Sequence, residues 1–176
     1  VVEPSCRRAV AVTRNKRVGL IATAASVRSG AYERTIAGLD RDVTVISKAC
    51  PLFVPLVENG RFRPGDTVIE TVAWEYLAPL RDTGIDTLIM GCTHYPLLAE
   101  VIGGVMGPEV TLVDSGAEAA RALKRELTQR ELLADRGCGG MTLYASDRPE
   151  DFGAVAGMFL GRPLDSAVRP VNIEEY

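Results

Sequence analysis

Short apolar runs alternate with stretches of helical periodicity along most of the chain. Residues 17–23 (RVGLIAT) follow a charged turn and read as a buried strand. Residues 26–39 have helical character around Tyr32, Ile36 and Leu39, weakened by Gly30 and Gly38. Residues 43–47 (VTVIS) are β-branched and read as a strand. Residues 52–58 predict a short helix flanked or kinked by Pro51 and Pro55, and Asn59-Gly60 marks a turn. The clearest helix covers 66–80. Val68, Ile69, Val72, Tyr76, Leu77 and Leu80 fall on one face, and Thr67 and Glu70 have capping-box spacing.

The alternation continues. Residues 87–90 (TLIM) predict a strand, 91–96 a loop, 97–102 a short helix and 110–113 (VTLV) another strand. Ser115 and Glu118 again have capping-box spacing and open a charged helix to about 133. A strand at 141–145 and a helix at 150–160 follow, and the residues after 160 read as a tail. Strands separated by helical segments predict βαβ units and a parallel sheet, an α/β fold. The opening Val1-Val2 reads as apolar and strand-like, which suggests that the chain begins inside a larger protein.

Composition narrows the class without changing it. With 176 residues, 47% hydrophobic and 24% charged, the chain has the make-up of a globular protein and not of a disordered or coiled-coil one. Twenty basic residues against 23 acidic ones leave a net charge of −3, which argues against nucleic acid as a main partner. No apolar run is long enough to predict a membrane span, and the first residues lack the basic head and apolar stretch of a signal peptide.

Candidate chemistry is sparse. The cysteines are Cys6, Cys50, Cys92 and Cys138, and His94 is the only histidine, so the clustered ligands of a structural zinc are missing. The cysteines are almost evenly spaced, but their contexts (SCRRA, ACPLF, GCTHY, GCGGM) share nothing beyond the sulfur, which argues against a repeat. All four are expected to be reduced thiols.

The most informative stretch is 88–98 (LIMGCTHYPLL). A strand ends, Gly91 permits a tight turn, and Cys92, Thr93 and His94 follow at once. Pro96 suits the first turn of the next helix. Open parallel sheets bind ligands at the carboxyl ends of their strands, where this loop is expected to lie. Amides at a helix start favour an anion, and together with a nearby imidazolium they are expected to lower a thiol pKa. Cys92 and His94 need not touch, but both could face one ligand.

These residues resemble the cofactor-independent glutamate racemases of the aspartate/glutamate racemase superfamily. The matching segments are GCTHYPLL (91–98), ACPLFVPLVE (49–58), RVGLIAT (17–23) with SGAYERTI (29–36), and LVDSGAEAA (112–120). The resemblance implies two similar α/β domains with the active site between them. Residues 5–113 would form one complete domain and 114–176 the C-terminal part of the other, leaving the helix after Asp114 without its sheet and its apolar face (Ala119, Ala120, Leu123, Leu127) uncovered. The family's mechanism uses two cysteines on opposite faces of glutamate, with neither metal nor cofactor.

Carried over residue by residue, Cys92 matches the second catalytic cysteine, and Thr93 and His94 match substrate-contacting positions. His94 would also assist Cys92 as a proton partner or as a cation. Glu58 matches an acidic residue near the cleft, where it would orient either His94 or the substrate ammonium. The family's first Asp-Ser-Gly segment and its Cys-Asn-Thr loop have no counterpart here. Asp114-Ser115-Gly116 falls by order at a later helix start, where Ser115 reads as an N-cap. Cys50, Cys6 and Cys138 read as packing or merely exposed thiols, so the chain alone is expected to be inactive or nearly so.

The role implied by the family is supply of D-glutamate for peptidoglycan in a bacterial cytoplasm. Glutamate would be the ligand, with no nucleic-acid or membrane partner, and a homodimer is compatible with the resemblance. Three alternatives stay open: another racemase of the superfamily, acting on aspartate; a non-catalytic, partner-binding remnant; and a Cys-His hydrolase.

Overall fold

The computed structural model describes residues 1–134, 137, 139–164 and 167–175, so Cys138 lies outside the described residues. The chain divides into two compact units, Val1–Leu133 and Ala134–Tyr176.

The first unit is a parallel α/β domain. Its strands are β1 (Arg17–Ala22), β2 (Thr44–Ala49), β3 (Thr87–Met90) and β4 (Thr111–Asp114), in the order β2-β1-β3-β4. Val18 pairs with Val45 on one side and Thr87 on the other, and Thr87 pairs with Thr111. All pairs are parallel, as βαβ connections require. The two central strands are apolar runs because helices cover both faces of the sheet.

Side-chain alternation divides the core into two layers. Val18, Leu20 and Ala22 of β1 and Ile89 of β3 pack with Cys6, Ala9, Tyr32 and Ile36, which lie on α1 (Val2–Val12) and α3 (Ala31–Leu39). Ile21, Leu88 and Met90 point the other way. They meet Phe53 and Val57 of α4 (Phe53–Glu58), Ile69, Ala73 and Leu77 of α5 (Thr67–Arg81), and Val101 and Ile102 of α6 (Ala99–Met106). Each fully buried Leu or Ile here contributes about 1.5–3 kcal/mol through loss of apolar surface to water.

The structure corrects several local expectations. The chain opens with a helix, not a strand. Val1-Val2 leads into α1, whose first turn carries Glu3, paired with Arg7 one turn on, and whose inner face buries Cys6 and Ala9. The helical stretch after β1 is two helices, α2 (Ala24–Ser29) and α3, broken at Gly30, whose φ of 62° is the left-handed conformation that glycine adopts at least cost. The α5 cap sits one residue earlier than the spacing implied. Asp66 accepts the Val68 N–H at 3.0 Å, and Glu70 accepts from Gly65 at 2.8 Å. Val68 is 41% exposed, and Ala73 takes the core position instead.

α7 (Ser115–Gln129) belongs to the first compact unit and packs on α1, where Arg8 reaches Glu118 at 3.7 Å. Its N-cap is Asp114 and not Ser115. The Asp114 carboxylate accepts from Gly116 and Ala117 at 2.8 and 3.0 Å, while Ser115 turns inward. Leu123, on the other side of α7, is 59% exposed.

The amino edge of the sheet is held by Asp86. Its carboxylate accepts from the Thr13 hydroxyl (2.7 Å), the Arg14 and Asn15 amides (2.6 and 2.8 Å) and the Thr87 hydroxyl (2.9 Å). The turn between α1 and β1 is thereby fixed to the start of β3.

The second unit is small. β5 (Tyr144–Ala145) pairs in parallel with β6 (Arg169–Pro170), and α8 (Pro149–Leu160) lies between them in sequence. The strand expected over 141–145 contracts to its last two residues. Among the described residues no helix is long and apolar enough to cross a membrane.

Candidate active site

The carboxyl edge of the sheet carries the loop that the sequence singled out. It leaves β3 at Met90 and runs through Gly91–His94 into a single 3₁₀ turn, Tyr95–Leu98, before α6. Gly91 extends the strand ladder by donating to the Ile21 carbonyl at 2.8 Å. A Cβ at Gly91 would stand 2.9 Å from Leu20 Cδ1, 3.1 Å from the Ile21 carbonyl oxygen and 3.2 Å from Tyr32 Cζ. Only a residue without a side chain lets the chain turn so close to β1.

Cys92, Thr93, His94 and Glu58 come together. Cys92 is partly exposed, with its Sγ 4.0 Å from His94 Nδ1. The Thr93 hydroxyl is 3.3 Å from the same nitrogen. On the far side of the imidazole, Nε2 lies 3.1 Å from Glu58 Oε1. The His94 side chain is 19% exposed and the Glu58 side chain 48%. Glu58 is the last residue of α4, which reaches the loop because Phe53 and Val57 are buried beneath it. A proton on Nε2 satisfies the carboxylate and leaves Nδ1 to accept from the Cys92 thiol. A protonated ring would donate to the thiolate instead. Of the two orientations expected for Glu58, the geometry has it facing His94.

Burial pushes the Cys92 thiol above its ordinary pKa. The amides of His94 and Tyr95 and the Thr93 hydroxyl favour the thiolate, and the nearby Glu58 charge opposes it. The depressed pKa expected from a helix start is therefore not found. The segment after the loop is a four-residue 3₁₀ turn, and desolvation of the sulfur outweighs the donors aimed at it.

The other thiols are remote from this chemistry. Cys6 and Cys50 are fully buried, and burial raises each pKa to about 12. Their sulfurs lie 3.8 Å from the carbonyls of Tyr32 and Lys48, respectively. Among the described residues no group of three or more His, Cys, Asp or Glu is placed to hold a metal.

Three buried side chains around the loop had no sequence signal of function. Ser115 donates to the Met90 carbonyl at 2.8 Å. Tyr32, hydrogen-bonded to Ser115, lies against Gly91. Tyr95 donates to the Cys50 carbonyl at 3.0 Å. From sequence, tyrosines beside an apolar run are indistinguishable from ordinary core.

Comparison with known proteins identifies the family. Residues 1–123 match the model of the Asp/Glu/Hydantoin racemase family. The chain is 47% identical over 175 residues to a glutamate racemase of Geobacter metallireducens, covering 99% of this chain and 64% of that relative. A crystal structure of a glutamate racemase isoform from Bacillus anthracis superposes with a TM-score of 0.88 at 34% identity, over 98% of this chain and 63% of that one. The glutamate racemase of Francisella tularensis, solved in complex with D-glutamate, gives 0.88 at 31% identity, over 99% and 64%. The chain thus spans just under two thirds of the length of the relatives it matches, and it belongs to the Asp/Glu/Hydantoin racemase family.

Proposed function

We propose that this chain is part of a glutamate racemase and supplies one of the two faces across which a proton is exchanged. The observation that carries the reading is the contiguous Cys92–His94–Glu58 assembly at the carboxyl edge of a parallel sheet. Relatives that match nearly the whole chain are glutamate racemases, one of them solved with D-glutamate, which supports glutamate as the substrate.

The chemistry follows from the atoms present. Cys92, as thiolate, removes the α-hydrogen of glutamate as a proton, forming S–H and leaving a carbanion delocalised into the carboxylate. A second thiol, outside the 176 residues, gives its proton to the opposite face of Cα and becomes the thiolate. The reverse reaction returns the Cys92 proton. His94 Nδ1 holds the proton that Cys92 must shed before acting as base, and Glu58 fixes the orientation of the ring. The Thr93 hydroxyl is available to the substrate carboxylate. The reaction needs no cofactor.

In this reading, residues 5–113 are one racemase domain and 114–176 contribute to a second, completed by chain outside this segment. The 176 residues alone are expected not to racemise, since Cys6 and Cys50 are sealed in the core and Cys138 stands in a sequence context without a site motif. The biological role is provision of D-glutamate for peptidoglycan in the bacterial cytoplasm, and a homodimer is the assembly to test first.

The deciding experiment follows L- to D-glutamate conversion, and solvent deuterium uptake at Cα, in the full-length protein and its Cys92→Ala variant. Racemisation by the wild type and its loss in the variant are expected. Turnover of aspartate in preference to glutamate would reassign the substrate, and retained turnover in Cys92→Ala would remove Cys92 from the reaction.

A further inference from the structure

Tyr95 follows His94 directly and is fully buried. Its hydroxyl donates to the Cys50 carbonyl at 3.0 Å. Its ring meets Phe53 edge to face, with centroids 5.2 Å apart and planes at 88°, and Phe53 meets Tyr76 in the same manner at 5.4 Å. Phe53 begins the short helix that Glu58 ends. Cys50 is itself tied to the sheet, its amide donating to the Ala22 carbonyl at 3.0 Å. Tyr95 therefore joins both partners of the His94–Glu58 contact: by peptide bond to one, and to the helix bearing the other by packing on its first residue, Phe53, and a hydrogen bond to Cys50, three residues before that helix.

We propose that Tyr95 is a positioning residue, its hydroxyl bond to Cys50 setting the 92–94 loop against α4 so that His94 meets both Glu58 and Cys92. The inference deepens the racemase reading and rests on it for its catalytic consequence. A core-filling role needs only the ring. The hydroxyl adds a buried directional bond to Cys50, whose carbonyl also accepts the amide of Phe53, the first residue of α4. The Tyr95 amide is also one of the donors that favour the Cys92 thiolate, so a shift of this residue moves the sulfur's surroundings as well as the imidazole.

Tyr95→Phe removes the bond and keeps the ring. The Cys50 carbonyl still accepts the Phe53 amide at 3.3 Å, so the variant leaves no orphaned buried acceptor and is expected to fold.

The test uses the full-length protein with two readouts: glutamate racemisation, and the pH dependence of Cys92 alkylation by iodoacetamide, followed by mass spectrometry of the Cys92 peptide. Tyr95→Phe is expected to lower kcat about tenfold with KM within about twofold, as small displacements of reacting groups do, and to move the alkylation midpoint to higher pH. Asp86→Asn, at the opposite edge of the sheet, serves as the control for general loosening. Unchanged kcat and an unchanged midpoint in Tyr95→Phe would overturn the proposal, as would an equal midpoint shift in Asp86→Asn. If Tyr95→Phe does not fold, Phe53→Leu tests the other half of the link, the packing of the Tyr95 ring on the first residue of α4, with the same upward shift expected and an unmoved midpoint counting against. A wild type that fails to racemise glutamate refutes the proposed function, while the alkylation readout still decides the positioning role.

Discussion

The Nε2 atom of His94 stands 3.1 Å from Oε1 of Glu58, a contact between residues 36 apart in sequence that sets the imidazole's opposite nitrogen toward Cys92. Glu58→Gln keeps an acceptor at that position and removes its charge. In the full-length enzyme kcat is expected to fall about 10- to 100-fold with the fold unchanged, less than the roughly 10²- to 10⁴-fold effect of a general acid or base because Glu58 acts through His94. A kcat within twofold of wild type, with circular dichroism also unchanged, would leave Glu58 outside the reaction.

Cys92 is raised above the ordinary thiol pKa, so the protein at rest holds a thiol there and gains thiolate only as pH rises. Its alkylation rate is expected to keep climbing beyond about pH 8.5, the midpoint of a free cysteine. Cys6 and Cys50, sealed in the core and pushed to about 12, are expected to stay unmodified until the protein unfolds. Mass spectrometry after timed iodoacetamide exposure reads both, and a rate plateau for Cys92 below pH 8 would contradict the first.

Gly91→Ala puts a methyl group against Leu20, Tyr32 and a backbone oxygen that cannot step aside. A destabilisation of about 1–3 kcal/mol is expected from overpacking, with racemisation reduced more than tenfold because the displaced loop carries Cys92 and His94. Chemical denaturation and initial-rate assays measure the two effects. A variant of wild-type stability and rate would show that the turn relaxes freely.

Burial works against the Asp86 charge, yet the Thr13 and Thr87 hydroxyls and the Arg14 and Asn15 amides outweigh it and hold the carboxyl below its usual range. A depressed carboxylate contributes stability that is full above its unfolded pKa of about 3.9 and is lost as pH falls through the folded value. Asp86→Ala is expected to lose about 2–3 kcal/mol at pH 7, the scale for charged hydrogen bonds whose donors are left unsatisfied. The difference from wild type should shrink below pH 4. A difference that stays constant from pH 7 to pH 3 would rule out the charged network as its source.

Much of this was legible in the residues. The strand at 87–90 appears with the bounds its apolar run implied, and the loop after it holds the chemistry because Gly, Cys, Thr and His occur together where a buried strand stops. Local patterns failed where a distant partner decides. Val1-Val2 joins a helix because Cys6 and Ala9, further along, find a core. Ser115 has the composition of a cap, but the Met90 carbonyl claims its hydroxyl and Asp114 caps in its place. The Glu58–His94 contact joins the segments after β2 and β3 across the α5 crossover and cannot be read from spacing, which left Glu58 with two orientations. Tyr95 carries no motif of its own, since its partner is a backbone carbonyl 45 residues away.

The Asp86 clamp and the Cys92 loop lie at opposite ends of the same four-residue strand, roughly 13 Å apart at the rise of an extended chain. Durability and reactivity are thus assigned to different ends of one short segment. A protein engineer could tighten the turn around Thr13–Asn15 to raise thermal endurance while leaving the thiol's surroundings untouched.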